Sequence, residues 1–124
     1  MPLRDLFATD PANPLLDDDA STELTLSTSS AVLELPELGE AAQARFLTLT
    51  SGAETGGDPI AWRLEGSADG VTWEVLDARS AQSFRWRRQT RPFEISSPRR
   101  CTRHRLVITT SQGPLRLAQL ELLA

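Results

Sequence analysis

The sequence predicts an all-β fold, an antiparallel β-sandwich jelly roll of about eight strands. Short runs of alternating apolar and polar residues follow one another at spacings of about 8–12 residues, and no stretch has a convincing helical period. The most informative stretch is 58–79, where two such runs flank Ala-Asp-Gly at 68–70. Asp-Gly between alternating runs is typical of a β-hairpin, because Gly tolerates the positive φ of tight turns.

The two runs of this hairpin also predict its inward face. Trp62 and Leu64 share one face of the first run, and Trp73 and Val75 share one face of the second. We expect both pairs to point inward, which places two large indole rings at the centre of the core.

The same alternation predicts the remaining elements in chain order. Ahead of the hairpin, strands are expected at 22–27, 31–35 and 45–50. Between them, 36–44 is a mixed connection compatible with one helical turn, and 51–59, with three Gly, is a long surface loop. Beyond the hairpin, strands are expected at 83–88, 91–95, 103–110 and 115–123.

For two of these strands the sequence also predicts which residues point inward. In 103–110, Leu106 and Ile108 are expected to point inward. In the last strand the apolar face changes phase after Leu117, since the later apolar set begins at Ala118. Period-2 alternation shifts by one residue only through a bulge or bend, so the ladder is expected to be interrupted near 117–119.

Length and composition bound the function. A chain of 124 residues fits one domain. We expect residues 1–14, with three Pro and no period, to form an irregular lead-in to it.

Neither a membrane span of about 18 apolar residues nor a secretory signal is present in the sequence as written, which predicts a cytoplasmic protein. An excised module of a secreted protein would instead be extracellular. The single Cys excludes an internal disulfide framework.

The charge is divided unevenly along the chain. Residues 1–78 hold fifteen Asp or Glu and three Arg, a net charge of −12, whereas residues 79–124 hold ten Arg and two Glu, a net charge of +8. Every basic residue is Arg, the side chain suited to planar, bidentate recognition of carboxylates.

Three segments together resemble a known family. They are Leu-Leu-Asp-Asp-Asp-Ala-Ser-Thr at 15–22, Leu-Thr-Leu-Thr-Ser at 47–51 and Trp-Arg-Leu-Glu-Gly-Ser-Ala-Asp-Gly-Val-Thr-Trp at 62–73. They resemble a discoidin domain, the coagulation factor 5/8 type C family of galactose-binding-like jelly rolls. The resemblance is nearest to carbohydrate-binding modules attached to bacterial glycoside hydrolases. It implies that residues 15–124 form one discoidin-like binding domain.

The resemblance also implies one structural calcium ion, held between an acidic loop and the last strand. Position by position, Asp17, Asp19 and Thr22 match the loop ligands, and Ala118 and Gln119 match the closing pair. Calcium prefers hard oxygen ligands, which an acidic turn facing a bulged strand supplies. Gln119 stands where the family usually has Glu, which removes one formal charge. The alternative is a solvated acidic loop whose side chains cap backbone N–H groups.

The residues give little support to catalysis. The one pairing of a nucleophile with a base is Cys101 with His104, and three-residue spacing on a strand puts them on opposite faces. No Gly-rich phosphate loop precedes a helix, and no transition-metal set is visible. We therefore expect a non-catalytic binding module that requires no cofactor.

Two functions remain open for such a module. The first is carbohydrate binding, for which the resemblance favours an aromatic platform with hydrogen-bonding partners, here Trp86, Arg88 and His104. The second is protein–protein interaction or homo-oligomeric assembly, which would need a contiguous patch of at least ~800 Å² per subunit. Nucleic acid is disfavoured, although Arg and Trp alternate near 85–88, because the pI is about 5.0.

Overall fold

The computed structural model describes residues 5–7, 15–16 and 24–124, and it is all-β. The predicted calcium ligands Asp17, Asp19 and Thr22 lie outside the described residues. The strands are Leu24–Thr25 (β1), Ala31–Glu34 (β2), Ala42–Gln43 (β3), Phe46–Ser51 (β4), Pro59–Ser67 (β5), Glu74–Arg79 (β6), Thr90–Glu94 (β7), Arg100–Cys101 (β8), Arg103–Ser111 (β9) and Arg116–Leu123 (β10).

These strands form two four-stranded antiparallel sheets and a two-stranded ribbon. The first sheet has the order β1-β10-β4-β7, the second has the order β2-β9-β5-β6, and β3 pairs with β8. Pro92 lies on the edge strand β7, where its missing N–H costs no ladder hydrogen bond on the open side. The predicted antiparallel β-sandwich is confirmed.

The connections lie at two opposite ends. We call one the Trp86 end, formed by the loops 26–30, 52–58, 80–89 and 112–115, where Pro59 pairs with Ser111. The other, the His104 end, is formed by 35–41, 68–73 and 95–99, where Ser67 pairs with Arg103.

The core lies between the sheets and is joined by one aromatic pair. Trp62 on β5 meets Phe93 on β7 edge to face, with ring centroids 5.0 Å apart and an interplanar angle of 79°. Leu106 and Ile108 are buried, as predicted. The remaining strands contribute mostly leucines, including Leu47, Leu49, Leu64, Leu76, Leu117, Leu120 and Leu122. Burial of these side chains provides the main driving force for the fold.

The hairpin is present, but the predicted inward face of its second strand is wrong. β5 and β6 pair with a register shift at Leu64/Glu65, and the shift turns Leu76 inward and leaves Val75 exposed. Trp73 is half-buried on the outer side, with the Arg105 guanidinium 4.0 Å from its ring centroid. A bulge reverses side-chain phase, which alternation within one strand does not reveal.

The connection between β5 and β6 is also longer than a tight turn. It spans 68–73, with Gly70 at φ 78°. The Asp69 carboxylate accepts the backbone N–H groups of Val71 and Thr72, both at 2.8 Å, and these hydrogen bonds, that of Thr72 foremost, lower the pKa of Asp69.

The predicted interruption of the last strand is confirmed. The pairing of β10 with β4 shifts register between Leu117 and Gln119. Around it, Ala118 and Gln119 are both buried. The connection 36–44 carries the short strand β3 instead of a helical turn.

Part of the predicted lead-in contacts the sandwich. Asp5 makes an isolated antiparallel bridge to Leu123, and the Leu6 N–H donates to the carbonyl of Leu122. The domain boundary at residue 15 stays a prediction. None of the described residues belongs to a helix long and apolar enough to cross a membrane.

Candidate functional site

The loop 80–89 at the Trp86 end takes the place of a predicted strand. Alternation predicted a strand at 83–88, but this segment is irregular and turns over Phe84, which is buried while Trp86 is 60% exposed. Ala81 and Arg88 have φ values of 53° and 54°. These positive values end the extended conformation on both sides of the segment.

A buried ion pair fastens this loop to its neighbour. Arg87 donates from Nη1 to Asp58 Oδ1 at 2.8 Å and from Nη2 to Asp58 Oδ2 at 2.6 Å. The side chain of Asp58 is 2% exposed, and that of Arg87 is 25% exposed. The hydrogen bond to Asp58 raises the pKa of Arg87, against the opposing effect of burial. Such a bidentate pair fixes orientation as well as distance.

Ser51 and Gln89 fix the turn around Trp86. The Ser51 hydroxyl donates to the carbonyl of Trp86 at 3.1 Å and accepts the Gln89 N–H at 2.9 Å. The Gln89 side-chain oxygen accepts the N–H of Arg85 at 2.6 Å, and the N–H of Arg88 donates to Gly52 at 3.2 Å. Because the backbone carries these contacts, the side chains of Arg85, Trp86 and Arg88 are free to meet a ligand.

The two left-handed residues add a second indication of function. Non-glycine residues at positive φ cost about 1–3 kcal/mol when the surrounding structure holds them there, and they concentrate at binding and catalytic sites. Here they flank the one exposed aromatic ring among the described residues. The strain therefore lies where Trp86 is presented.

Trp86 lines a cleft of about 340 Å³. The cleft combines the ring with Ala81 and with five polar or cationic side chains, namely Gln82, Ser83, Arg85, Gln89 and Arg91. Arg91 is held in place, because its Nη1 donates to the Ser83 carbonyl at 2.8 Å and its guanidinium lies 4.9 Å from the Phe93 ring centroid. A ring beside guanidinium and amide groups can stack on a ligand and hydrogen-bond to its edge.

The structure brings together two of the three residues predicted to bind sugar. Trp86 and Arg88 lie on one turn, although Arg88 is exposed and is not among the residues that line the cleft. His104 lies on β9 at the opposite end, is 1% exposed, and meets Phe7 edge to face at 6.4 Å. The structure therefore does not bring His104 to Trp86, because the register of β9 places it at the far end of the sandwich, where it is buried.

The burial of His104 also sets its charge. Neither ring nitrogen has a hydrogen-bond partner among the described residues. Burial lowers the pKa of His104 from 6.5 to about 4. The imidazole is therefore neutral at pH 7, in the interior of the protein.

Cys101 is the nucleophile that the sequence paired with His104. It is buried against Gly66, and this burial, foremost, raises the pKa of its thiol. A neutral, buried thiol is a weak nucleophile.

A larger cleft, of about 550 Å³, lies at the His104 end. Its lining includes Glu40 and Asp5 as well as Arg45 and Arg100, so both signs of charge face it. It has no aromatic side chain, and the backbone around it contains no positive-φ residue. We therefore place the candidate site at the smaller, Trp86 cleft.

The described residues supply only the last-strand half of the predicted calcium site. Among them no three His, Cys, Asp or Glu side chains come together. The bulge at 117–119 is present, and the N–H of Leu120 donates to the carbonyl of Leu15 at 3.1 Å. Leu15 is therefore held next to the strand that carries the bulge.

No family model matches the sequence, and no curated protein matches it. Solved structures do. CpGH89CBM32-5 from Clostridium perfringens, in complex with GalNAc-β-1,3-galactose, superposes with a TM-score of 0.74 at 14% identity, over 99% of this chain and 94% of that one. The family 32 carbohydrate-binding module of Streptococcus pneumoniae EndoD superposes with a TM-score of 0.73 at 10% identity, over 94% and 86%. The chain has the fold of a family 32 carbohydrate-binding module.

The same fold occurs within a longer chain. SpGH29 matches with a TM-score of 0.71 at 19% identity, and the present chain covers 26% of its length. The discoidin-like, galactose-binding-like fold read from the sequence is thereby confirmed.

Sequence reasoning missed part of the cleft. Arg85 flanks Trp86 in the sequence, and this spacing was the available signal for it. Gln82, Gln89 and Arg91 reach the cleft only through the folding of the loop. No periodicity predicts that, because both positive-φ residues are non-glycine.

Proposed function

We propose that this domain is a non-catalytic carbohydrate-binding module in which Trp86 is the platform for a sugar ring. The observation that carries the proposal is the 60% exposure of Trp86 on a turn fixed by Asp58, Arg87, Ser51 and Gln89. A turn held rigidly before binding loses little backbone entropy when a ligand docks.

The chemistry of the cleft supports the same function. A pyranose offers an apolar C–H face and an equatorial belt of hydroxyl groups, so it needs a flat ring beside polar side chains. Trp86 supplies the ring, and Arg85, Gln82 and Gln89 supply donors and acceptors at its edge. The Clostridium perfringens module that shares the fold was solved with GalNAc-β-1,3-galactose, which makes galactose-containing glycans the first probes.

A non-catalytic role agrees with the state of the two reactive side chains. Cys101 and His104 are both buried, with the pKa of the thiol raised and the pKa of the imidazole lowered. Neither lines the Trp86 cleft.

The test is a glycan array followed by calorimetric titration of each ligand found, using wild type and Trp86→Ala. We expect the substitution to weaken binding roughly tenfold or more, since loss of an aromatic contact of about 1.5 kcal/mol has that effect. Val71→Ser is the matched control, because Val71 is 81% exposed at the other end. An array without any hit would refute carbohydrate binding. Wild-type affinity in Trp86→Ala would show that the sugar binds at another place on the domain.

Assembly remains the alternative. The exposed large apolar side chains of the described residues are dispersed: Val32 and Val75 lie on opposite edge strands of the second sheet, Val71 in the loop 68–73 and Trp86 at the other end. A stable interface of ~800 Å² per subunit would need such groups to be contiguous. Sizing chromatography at low and high salt tests this alternative; a salt-sensitive oligomer together with an empty array would establish it over sugar binding.

We also propose the calcium ion, with Ala118 and Gln119 as the ligand positions that the structure describes. The carbonyl of Ala118 and the side-chain oxygen of Gln119 are hard donors at a bulged position, and bound calcium would supply a structural cross-link to the acidic loop. Excess calcium is expected to raise the melting temperature and a chelator to lower it. An unchanged melting temperature under both conditions would exclude the ion.

A further inference from the structure

We propose that the ligand of the Trp86 cleft is an acidic glycan, whose carboxylate or sulfate groups pair with the arginines around the ring. This inference rests on the proposed carbohydrate-binding function and names the class of sugar. It follows from which arginines of the described chain already have a carboxylate partner and which do not.

Most described arginines are paired inside the protein. Seven of them make an ion pair with Asp or Glu, namely Arg63, Arg79, Arg87, Arg99, Arg103, Arg105 and Arg116. Arg85, Arg88 and Arg91, by contrast, have no carboxylate partner among the described residues. These three lie within seven positions of the sequence, around Trp86.

The surroundings of the cleft do not neutralise this charge. Among the described residues, no Asp or Glu lines it. The nearest buried carboxylates are already engaged, since Asp58 holds Arg87 and Asp77 holds Arg79. Arg85 and Arg91 both line the cleft, so an anionic ligand bound there would find two positive charges that no lining carboxylate of the described residues offsets.

The geometry suits recognition of an anion on a ring. Arg91 is fixed by the Ser83 carbonyl and by the Phe93 ring, so it presents charge to the cleft without loss of side-chain freedom on binding. Arg85 is exposed, and only its backbone N–H is engaged. The planar guanidinium matches the two oxygens of a carboxylate or sulfate, while Trp86 covers the sugar face.

Two other unpaired arginines show why charge alone is insufficient. Arg45 and Arg100 lie at the His104 end, where Glu40 shares their cleft and no aromatic ring is present. Single-stranded nucleic acid also fits less well at the Trp86 end, because it uses successive stacking platforms, and the described residues expose a single large ring there.

The experiment compares matched probes that differ only in charge. Polygalacturonate is titrated against its methyl ester, and a sulfated galactan against its desulfated form, by affinity electrophoresis of the full chain. We expect at least one charged member to bind roughly tenfold tighter than its neutral partner, with a preference that declines as salt increases. The pair that shows the preference distinguishes carboxylate from sulfate.

Variants connect the preference to the cleft. Arg85→Gln is expected to reduce the ratio of charged-glycan to neutral-glycan affinity several-fold, because Gln can still hydrogen-bond to a hydroxyl but carries no charge, and to leave the melting temperature near wild type. Arg91→Gln, at the other arginine that lines the cleft, is the second variant in case Arg85→Gln folds poorly. Arg45→Gln is the matched control, an unpaired arginine at the opposite end, and should keep the full ratio.

The outcomes separate the two proposals. Equal binding of charged and neutral members, with Trp86→Ala still weakening both, overturns the acidic-glycan inference and leaves the carbohydrate function in place. Failure of every glycan, charged or neutral, overturns both. A single-stranded DNA oligonucleotide is the last probe. If it binds as tightly as the acidic glycans and loses the same affinity in Arg85→Gln, the cleft binds polyanions in general and the acidic-glycan inference is overturned.

Discussion

The two ends of the sandwich are held together by different forces. At the Trp86 end the loops are joined by polar contacts, chiefly the Asp58–Arg87 pair and the Ser51 hydroxyl. At the His104 end the interior contacts are close and largely apolar, with Gly66 packed on Cys101 and a neutral His104 against Phe7, while polar contacts such as those of Asp69 lie in the surface loop.

The difference shows how one fold separates binding from stability. Hydrogen bonds and ion pairs are directional, so they can hold a loop in a strained conformation and point Trp86 outward. Apolar packing is non-directional and depends on area and fit, so it stabilises the fold but displays no group to solvent. Substitutions at the Trp86 end should therefore alter binding, and those at the His104 end should alter only stability.

The largest effect is expected from breaking the ion pair at the Trp86 end. Arg87→Ala leaves the buried Asp58 carboxylate without its partner, which typically costs about 3–5 kcal/mol of unfolding free energy. Denaturant unfolding at pH 7 measures it. Sugar binding should fall as well, because the turn that carries Trp86 loses its anchor.

The control for this substitution is a surface pair of the same chemistry. Arg99 and Glu74 lie 3.1 Å apart, with side chains 60% and 52% exposed. Arg99→Ala is expected to cost about 0–1 kcal/mol and to leave binding intact. Equal costs for Arg87→Ala and Arg99→Ala would show that the Trp86 end does not depend on its buried pair.

The His104 end should respond to pH. The unfolded chain takes up a proton on His104 near pH 6.5, whereas the folded chain does so only near pH 4, so the stability from this residue is complete above pH 6.5 and is lost as the pH falls towards 4. Between pH 7 and pH 5 the loss is on the order of 2 kcal/mol.

The measurement is the unfolding free energy of wild type and of His104→Leu at several values between pH 7 and pH 5. The variant should lose much less stability over this range, whatever its stability at pH 7. Identical slopes for the two proteins would mean that His104 is not buried as a neutral ring. Sugar affinity of the folded protein should not follow this titration.

The sequence predicts the frame of this molecule better than its details. Alternation locates most strands of the two sheets, because successive side chains on a half-buried strand point alternately to the core and to solvent. The phase break at Leu117 revealed one bulge, since both halves of that strand are rich in leucine. The bulge at Leu64/Glu65 left no such trace in the sequence. Trp73 and Val75 alternate as an inward face would, although Val75 is exposed and Trp73 lies on the outer side against Arg105.

The candidate site was predictable only in part. Trp86 is visible in the sequence as an aromatic residue among arginines. Its exposure depends on the positive φ values of Ala81 and Arg88, which residue type does not predict. His104 was named as a candidate because its residue type can hydrogen-bond to sugar hydroxyls, and residue type does not show which end of the sandwich a side chain occupies. Here its neutral ring fills core space beside Phe7, which depends on tertiary packing.

A single glycine tests how tightly the His104 end is packed. A Cβ at Gly66 would lie 2.6 Å from the Cys101 sulfur and 2.8 Å from a methyl group of Leu76. Gly66→Ala is expected to lower the unfolding free energy by about 1–3 kcal/mol without changing sugar affinity. Gly39→Ala is the control, since a Cβ there meets nothing within 4 Å, and it should be neutral. Equal stability of the two variants would show that this end tolerates looser packing than the structure indicates.

The smallest effect is expected at Trp73, the last residue of the loop 68–73. Its ring covers the Arg105 guanidinium at 4.0 Å, and Arg105 in turn pairs with Glu65. Trp73→Leu keeps part of the apolar cover and removes the cation–π contact, so the expected loss is about 0.5–1 kcal/mol of unfolding free energy. Because this ring lies against the sheet instead of being held out on a strained loop, sugar affinity should not change. A fall in affinity comparable to that of Trp86→Ala would place ligand contacts at both ends and remove the division between them.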